Sequence, residues 1–304
     1  MSAQVTNLFS VRGKTIVISG GGTGLGRMLA EGFVENGARV VIIGRRAEVL
    51  DQAVREMNEE YASVAGGSVY AVQGDIATKD GVRAIVERIA EREDKVDGLI
   101  NNAAIQRPWR NPITDHRDPD AVERLVWDGV EDEDWDFTQR VNVNGAYFLT
   151  AGLVPLLRKS PDPSVIIISS IAAIANQRPV SSLTYGVSKA AALHLCSMLA
   201  GRLSPLKIRV NAILPGTFPT EITSTASPTP EDPKHRTLLP AAGKVALRTP
   251  LGRAGAKEDI LGPCIMLCSR AGGFTTNAVI SVDGGRSMNA GIDDGIRLPD
   301  EFYH

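Results

Sequence analysis

The sequence has little cysteine, no long apolar run and no excess of charge of either sign. Three cysteines in 304 residues are too few for a disulfide framework. The longest purely aliphatic run covers residues 165–168, far short of the about 20 apolar residues that a membrane-spanning helix needs. Lysine and arginine number 33 against 35 aspartates and glutamates, for a net charge of −2, which disfavours nucleic acid and anionic membranes as partners. Residues 1–10 carry no basic-then-apolar signal pattern, so we expect a cytoplasmic protein.

Histidine is also scarce, and the cysteines are poorly placed for a metal. The four histidines are scattered, and none pairs with another at helical spacing. Cys264 and Cys268 lie four residues apart, which would put them on one face of a helix. Because no histidine or further cysteine lies nearby to complete a site, we expect both to pack as small apolar side chains and predict no metal.

Short β-branched runs alternate with longer amphipathic stretches over the first 215 residues. The runs predicted as strands are 15–19, 39–43, 68–73, 97–101, 164–169 and 207–213. Near-continuous apolar strands separated by helices indicate parallel β-α-β units with both sheet faces covered. An apolar fraction of 43% is enough to bury a core. We therefore predict a single α/β domain over residues 1–304, a doubly wound parallel sheet of about seven strands flanked by helices.

Two segments interrupt this alternation. Residues 106–135 are long, polar and charged, and residues 217–250 begin with a stretch rich in threonine, serine and proline. Long irregular segments in a compact domain are usually lids or disordered excursions. For residues 106–135 we leave open an insertion near the substrate side and a solvated loop, whereas for residues 217–250 we favour a substrate lid.

A glycine-rich turn lies between the first predicted strand and the first predicted helix. Gly20, Gly24 and Gly26 follow the spacing Gly-x-x-x-Gly-x-Gly. Glycine permits a tight turn and lets backbone N–H groups approach a pyrophosphate at a helix N-terminus. Although glycine-rich turns also occur for structural reasons, the position directly after a strand predicts nucleotide binding.

The end of the second predicted strand indicates which dinucleotide binds. A carboxylate there would accept a hydrogen bond from the adenosine ribose and would repel a 2′-phosphate. The sequence instead has Arg45 and Arg46, and guanidinium groups match phosphate oxygens. We therefore predict that NADP(H) is preferred over NAD(H). In the alternative, one or both arginines simply lie at the solvated start of the next helix.

A tyrosine and a lysine are the candidate catalytic pair. Tyr185 and Lys189 are four residues apart in a predicted helix and therefore share a face. A nearby ammonium favours the phenolate, so we expect Lys189 to lower the pKa of Tyr185 and make it a general acid and base. Ser169 and Ser170 follow a predicted strand at the edge of the sheet where ligands bind. A hydroxyl there can hydrogen-bond a substrate oxygen that changes charge.

Taken in order, these motifs resemble the short-chain dehydrogenase/reductase family over roughly residues 10–285. The resemblance implies a Rossmann-like fold and a catalytic set of Asn142, Ser170, Tyr185 and Lys189. It implies cofactor contacts from Gly20, Gly22, Thr23, Gly24, Leu25, Gly26, Arg45, Arg46, Asp75, Ile76, Asn102, Ala103, Tyr185, Lys189, Pro215, Gly216 and Thr220. Residues 282–285 match its C-terminal signature, and residues 9–14 and 27–33 are similar to the rhamnolipid-type 3-oxoacyl-carrier-protein reductases.

The resemblance also implies a reaction. Hydride passes between nicotinamide and a carbonyl or secondary alcohol, with a 3-oxoacyl or polyketide-like ketone among the candidate substrates. Tyr185 then donates the proton, Ser170 polarises the carbonyl, Lys189 holds the ribose, and Asn142 positions a water that relays protons. A homodimer or homotetramer is expected through the helices that carry Asn142 and Tyr185. The alternative is a non-redox cyclase, isomerase or nucleotide sensor on the same scaffold.

Several positions depart from the family's pattern. Thr23 stands where many NADP-preferring members carry a basic residue, and Ala104 replaces a glycine. The stretch between Asn102 and Asn142 is longer than usual, and residues 176–179 lengthen the spacing from serine to tyrosine. Since both insertions border the substrate side, the substrate of a relative does not transfer to this chain.

Overall fold

Seven parallel strands form one sheet in the computed structural model, which describes residues 3–116, 118–175, 182–221, 223–224 and 238–289. The strand order is β3-β2-β1-β4-β5-β6-β7. The strands are β1 (Thr15–Ser19), β2 (Arg39–Gly44), β3 (Ser68–Gln73), β4 (Gly98–Asn101), β5 (Ser164–Ile168), β6 (Arg209–Pro215) and β7 (Val279–Val282). The predicted doubly wound sheet is therefore confirmed.

Helices connect successive strands and cover both faces of the sheet. They are α1 (Val5–Leu8), α2 (Gly24–Glu35), α3 (Ala47–Ala65), α4 (Lys79–Ala90), α5 (Pro119–Asp128), α6 (Asp132–Gln139), α7 (Ala146–Leu157), α8 (Leu183–Leu203), α9 (Pro240–Leu247), α10 (Lys257–Cys268) and α11 (Arg286–Asn289). A π-helix (Arg140–Gly145) joins α6 to α7. Short 3₁₀ helices cover Ile171–Ala173, Ser204–Leu206 and Arg270–Gly272. No helix among the described residues is long and apolar enough to cross a membrane.

The core lies on both faces of the sheet. Leu149 and Leu153 of α7 are fully buried on one face, and Phe33 of α2 and Ile260 of α10 are fully buried on the other. Because helices cover both faces, ligands can reach the sheet only at its edges. The strand order reverses between β1 and β4, which opens a crevice at the carboxyl ends of these strands.

The structure corrects the expectation that residues 106–135 are irregular. Residues 119–128 form helix α5, where Asp118 accepts a hydrogen bond from the backbone N–H of Asp120 and Pro119 occupies the first turn. An aspartate followed by proline is a helix start signal. The polar and charged composition of the segment favours a loop instead, which is why the helix is not expected from the sequence. A hydrogen bond joins the start of the segment to its end, because Nε of Arg110 donates to Oδ2 of Asp134 at 2.6 Å.

The predicted lid, residues 217–250, contains helix α9 at its end. Residue 222 and residues 225–237 lie outside the described residues, as do residues 176–179 of the second insertion. Cys264 and Cys268 are fully buried on α10, where burial raises the pKa of both thiols. They pack as small apolar side chains.

Candidate active site

The glycine turn after β1 is held tightly against the end of β4. Gly20 has a φ of +68°, and a Cβ there would lie 2.9 Å from the Cα of Ala103. A Cβ at Gly26 would lie 2.1 Å from the carbonyl oxygen of Gly20. Only glycine fits at either position, because one requires a left-handed backbone and the other a direct backbone contact.

Asn102 anchors this turn from β4. Its side-chain Nδ2 donates to the carbonyl oxygen of Ser19 at 3.0 Å, and its backbone N–H donates to the hydroxyl of Ser19 at 3.0 Å. The same hydroxyl accepts from the backbone N–H of Ala103. The carboxyl ends of the two strands are thereby fixed to each other on both sides of the crevice.

The segment after β6 crosses over the glycine turn. A Cβ at Gly24 would lie 3.3 Å from the Cβ of Thr220, so Thr220 faces the turn directly. At the base of the segment, a Cβ at Gly216 would lie 2.8 Å from the Cα of Asp283, which follows β7. The carboxylate of Asp283 accepts hydrogen bonds from the backbone N–H groups of Gly285 and Ser287. The C-terminal signature thus packs against the base of the segment after β6.

A cavity of about 550 Å³ connects the glycine turn to the candidate catalytic residues. The predicted site residues that line it are Gly20, Gly22, Thr23, Gly24, Leu25, Arg45, Arg46, Asp75, Ile76, Asn102, Ala103, Ser170, Tyr185, Lys189, Pro215, Gly216 and Thr220. Gly26 and Asn142 do not line it: Gly26 packs behind the turn, and Asn142 is buried. Both residues therefore support the walls of the cavity from behind.

The cavity fits a dinucleotide. Several residues that line the cavity are glycines, and a side chain at these positions would fill space next to Thr220 or Leu50. The N-terminus of α2 opens onto it at Gly24, and backbone N–H groups at a helix start favour a phosphate. At the other end stand Tyr185 and Lys189.

Ser170 and Tyr185 meet at the far end of this cavity. The side chains of Ser170 and Tyr185 both line the cavity. Burial raises the pKa of Tyr185 above its ordinary value, and the nearby hydroxyl of Ser170 offsets this only in part. The neighbouring Ser169 is buried and donates to the carbonyl oxygen of Lys189 at 2.8 Å, so it fixes α8 against β5.

Lys189 is buried beside Tyr185, as the four-residue spacing predicted. Its Nζ donates to the carbonyl oxygen of Ile168 at 2.9 Å and lies 5.6 Å from the centre of the Tyr185 ring. Burial lowers the pKa of Lys189 to about 8. The expected lowering of the Tyr185 pKa by Lys189 is not found in this structure, where burial raises that pKa.

Asn142 lies in the π-helix and holds the start of the insertion. Its Oδ1 accepts from the backbone N–H of Ile105 at 2.8 Å, and its Nδ2 donates to the carbonyl oxygen of Ile105 at 3.0 Å. Nδ2 also donates to the hydroxyl of Ser188 at 2.9 Å, one residue before Lys189. The amide group is therefore fully engaged with the protein.

The sequence also has known relatives. A family model described as enoyl-(acyl carrier protein) reductase matches residues 20–287. The short-chain dehydrogenase/reductase PhomF of Diaporthe leptostromiformis is 33% identical over 298 residues, which cover 94% of this chain and 97% of that protein. The chain belongs to the short-chain dehydrogenase/reductase family. It is therefore an oxidoreductase that acts with a nicotinamide dinucleotide on carbonyl or alcohol groups.

Two further members of the short-chain dehydrogenase/reductase family are similar over most of the chain. The rhamnolipid biosynthesis 3-oxoacyl-[acyl-carrier-protein] reductase of Pseudomonas aeruginosa is 31% identical over 281 residues, 91% of this chain and 97% of that protein. The solved structure of an NADPH-dependent 3-quinuclidinone reductase from Rhodotorula rubra has a TM-score of 0.75 and 28% identity, over 95% of this chain and 96% of that one. The likeness to rhamnolipid-type reductases is confirmed.

The short-chain dehydrogenase/reductase site also contains residues that the sequence did not single out. Ile105, Val141, Phe218 and Glu221 line the cavity. Ile105 could have been found as the residue that directly follows Asn102, Ala103 and Ala104. Glu221 follows Thr220 but gives no signal in the sequence, since its partners Arg46 and Thr23 lie 175 and 198 residues away along the chain.

Proposed function

We propose that this chain reduces a ketone to a secondary alcohol with NADPH as the preferred cofactor, and that it runs the reverse oxidation when the pH favours it. The observation that carries the proposal is the convergence of Ser170, Tyr185 and Lys189 with the glycine turn in one cavity. The non-redox alternative finds no support among the relatives, which are named as dehydrogenases and reductases.

The cofactor end is formed by the chain's own backbone and a few side chains. Gly20, Gly24 and the start of α2 would hold the pyrophosphate, and Asp75 and Ile76 would contact the adenine. The nicotinamide, when bound, supplies or accepts the hydride. The protein positions the nicotinamide against the substrate and sets the electrostatic environment of the transfer.

Tyr185 is the proton donor in the proposed reduction. Because burial raises its pKa, the phenol stays protonated through neutral pH and is ready to give its proton to the carbonyl oxygen. Ser170, which lines the same cavity, would donate to that oxygen and stabilise its developing charge. Lys189, with a pKa of about 8, carries its proton at neutral pH and would bind the nicotinamide ribose.

Asn142 is a positioning residue in this proposal. Both hydrogens of its Nδ2 are donated, to Ile105 and Ser188, so its side chain cannot donate to a relay water, which would instead bind to the backbone. A π-helical turn leaves main-chain carbonyls out of the regular ladder, and such turns are frequent at functional sites.

The preference for NADPH rests on Arg45 and Arg46. Both arginines line the cavity at the carboxyl end of β2, where a 2′-phosphate would lie in the family's binding mode. The Rhodotorula rubra relative is named as NADPH-dependent. A charge-assisted arginine–phosphate contact contributes roughly 1.5–3 kcal/mol, which corresponds to a preference of about tenfold to a hundredfold.

The proposed substrate is a ketone of the 3-oxoacyl or polyketide-like class. Ile105, Val141 and Phe218 give the cavity apolar walls, which suit an acyl chain or ring better than a free sugar.

We also propose that the chain forms a homodimer or homotetramer. Leu183, Val187 and Met198 of α8 are each about half exposed, as is Tyr147 of α7. The α8 residues recur at helical spacing and form an apolar stripe on the helices expected to associate. Sedimentation of the purified protein measures the oligomeric state directly.

The deciding experiment is a titration of the purified chain with NADPH and, separately, with NADH. Tighter binding of NADPH by about tenfold supports the proposal, and a panel of ketones followed at 340 nm then identifies the substrate class. Equal or tighter binding of NADH overturns the cofactor preference. Absence of binding by either dinucleotide overturns the proposed ketone reduction itself.

A further inference from the structure

Glu221 reaches across the cofactor crevice to the residues expected to bind the adenosine ribose. Its Oε2 lies 3.2 Å from Nη2 of Arg46, at the end of β2. The same oxygen accepts a hydrogen bond from the hydroxyl of Thr23, in the glycine turn, at 3.1 Å. All three residues line the cavity. The Glu221 carboxylate thus accepts from donors on both sides of the crevice.

These two donors are the ones that a 2′-phosphate would use. Arg46 offers the guanidinium predicted to bind the phosphate, and Thr23 stands at the turn position that often carries a basic residue in NADP-preferring relatives. A phosphate and the Glu221 carboxylate are both anions, so they compete for the same donors and repel each other.

A ribose 2′-hydroxyl has the opposite relation to Glu221. A carboxylate at the end of β2 is the usual acceptor for that hydroxyl in NAD-binding sheets, and β2 of this chain is followed by arginines instead. Glu221 instead brings a carboxylate from the segment after β6 to the guanidinium of Arg46 and the hydroxyl of Thr23.

The ion pair contributes little to folding. The side chains of Arg46 and Glu221 are 55% and 42% exposed, and exposed pairs of this kind add little to stability. Their position in the cofactor cavity therefore matters more for binding than for the fold.

We propose that Glu221 is a specificity-determining residue that opposes the 2′-phosphate of NADP(H) and accepts a hydrogen bond from the ribose 2′-hydroxyl of NAD(H). This inference rests on the proposed function, since it assumes that a nicotinamide dinucleotide binds in this cavity. Glu221 then limits how strongly Arg45 and Arg46 favour NADPH over NADH. The wild-type preference should therefore lie near the lower end of the range of about tenfold to a hundredfold.

The test compares Glu221→Gln with wild type for two pairs of ligands, NADPH with NADH and 2′,5′-ADP with 5′-AMP. Each pair differs in the 2′-phosphate, and the nucleotide pair reports on the adenosine end alone, without any turnover. Glu48→Gln is the matched control, because Glu48 is exposed in the first turn of α3, two residues from Arg46. It removes the same charge from the same neighbourhood but touches neither Thr23 nor Arg46.

Calorimetric titration of the full-length chain gives the dissociation constants. For Glu221→Gln, discrimination in favour of the 2′-phosphorylated ligand should rise about fivefold in both pairs at low ionic strength. NADPH should bind more tightly and NADH more weakly. Glu48→Gln should leave the discrimination within about twofold of wild type.

Two results overturn the inference while leaving the proposed function intact. In the first, wild type binds NADPH but Glu221→Gln does not change the discrimination. In the second, Glu48→Gln changes it as much as Glu221→Gln, which would show a general effect of net charge. If wild type binds neither dinucleotide, both the proposed function and the inference fail.

Discussion

The Nζ atom of Lys189 lies 5.6 Å from the centre of the Tyr185 ring, but it donates its hydrogen bond to the carbonyl oxygen of Ile168. The two residues are neighbours on one helical face, but the lysine is fixed to β5 rather than to the phenol. This arrangement gives the site a buried protonated acid beside a buried amine whose pKa is lowered to about 8.

Replacement of Tyr185 by phenylalanine tests the proton donor. The variant loses only the hydroxyl, so kcat for ketone reduction should fall by about 10²–10⁴-fold, the range for general acid catalysis. The dissociation constant for NADPH should stay within about threefold of wild type, because binding energy comes mainly from the dinucleotide end. Tyr61→Phe, on α3, is the control for loss of a phenol elsewhere. Unchanged turnover in Tyr185→Phe would contradict the assignment.

The two directions of the reaction should differ in their pH dependence. Reduction needs a protonated Tyr185, whose pKa is raised by burial, so its rate should stay level from pH 6 to 8. Oxidation needs the phenolate, and its rate should climb with pH across and beyond this window. Initial rates in both directions, measured at saturating cofactor, check this. An oxidation rate that levels off near neutral pH would argue against a raised pKa of Tyr185.

Lys189→Met should alter the pH dependence of stability. Burial lowers the pKa of Lys189 from 10.5 to about 8, so between these values the unfolded chain keeps a proton that the folded chain has lost. Stability then rises with pH in this window. Relative to Lys189→Met, the wild-type free energy of unfolding should gain up to about 3 kcal/mol from pH 8 to 10.5.

Denaturant unfolding at a series of pH values measures that gain. Lys159→Met, at an exposed lysine, is the control and should give a constant difference from wild type. A difference for Lys189→Met that is equally constant would show that the ammonium is not desolvated in the folded chain.

Asn142→Ala should destabilise the fold as well as the site. The substitution leaves the backbone N–H of Ile105 without its acceptor, and an unsatisfied buried group costs about 1–3 kcal/mol. Ser188→Ala, which removes only one of the bonds to the Asn142 amide, should cost about 1 kcal/mol or less. Chemical denaturation of the two variants compares them. Equal small losses would mean that Asn142 is dispensable for holding Ile105.

Two glycine-to-alanine variants should have effects of opposite sign. A Cβ at Gly26 meets the carbonyl of Gly20, so Gly26→Ala must displace the turn and should weaken both folding and NADPH binding. At Gly201, in helix α8, no atom lies within 4 Å of an added Cβ. Gly201→Ala should therefore stabilise the chain by about 0.5–1 kcal/mol. Melting temperatures and NADPH titrations distinguish the two.

Local sequence patterns were sufficient for much of the sheet and one part of the site. Apolar runs marked six of the strands because buried parallel strands need them, and the glycine turn was recognisable because its glycines adjoin a strand. Ser170, Tyr185 and Lys189 were placed together because strand ends and helical spacing determine where such residues lie.

Other features depend on three-dimensional surroundings that spacing does not encode. The sign of the pKa shift at Tyr185 follows from its burial, which four-residue spacing does not reveal. Gly26 does not line the cavity; it is a packing position, where an added Cβ would meet the carbonyl oxygen of Gly20 and the side-chain amide of Asn102. The contact between Arg46 and Glu221 joins two distant segments, and helix α5 was missed because its charged residues resemble a loop.

The π-helix between α6 and α7 has a consequence for the phase of these two helices. A π-helical turn accommodates about one residue more than an α-helical turn, and one residue corresponds to about 100° around an α-helix. Faces that would align in a continuous α-helix are therefore offset between α6, which carries Asp134 of the insertion, and α7, which packs on the sheet. Deleting one residue from this turn would realign the two faces and rotate Asn142 away from Ile105. The length of this segment is thus under a stricter constraint than the identity of most residues within it.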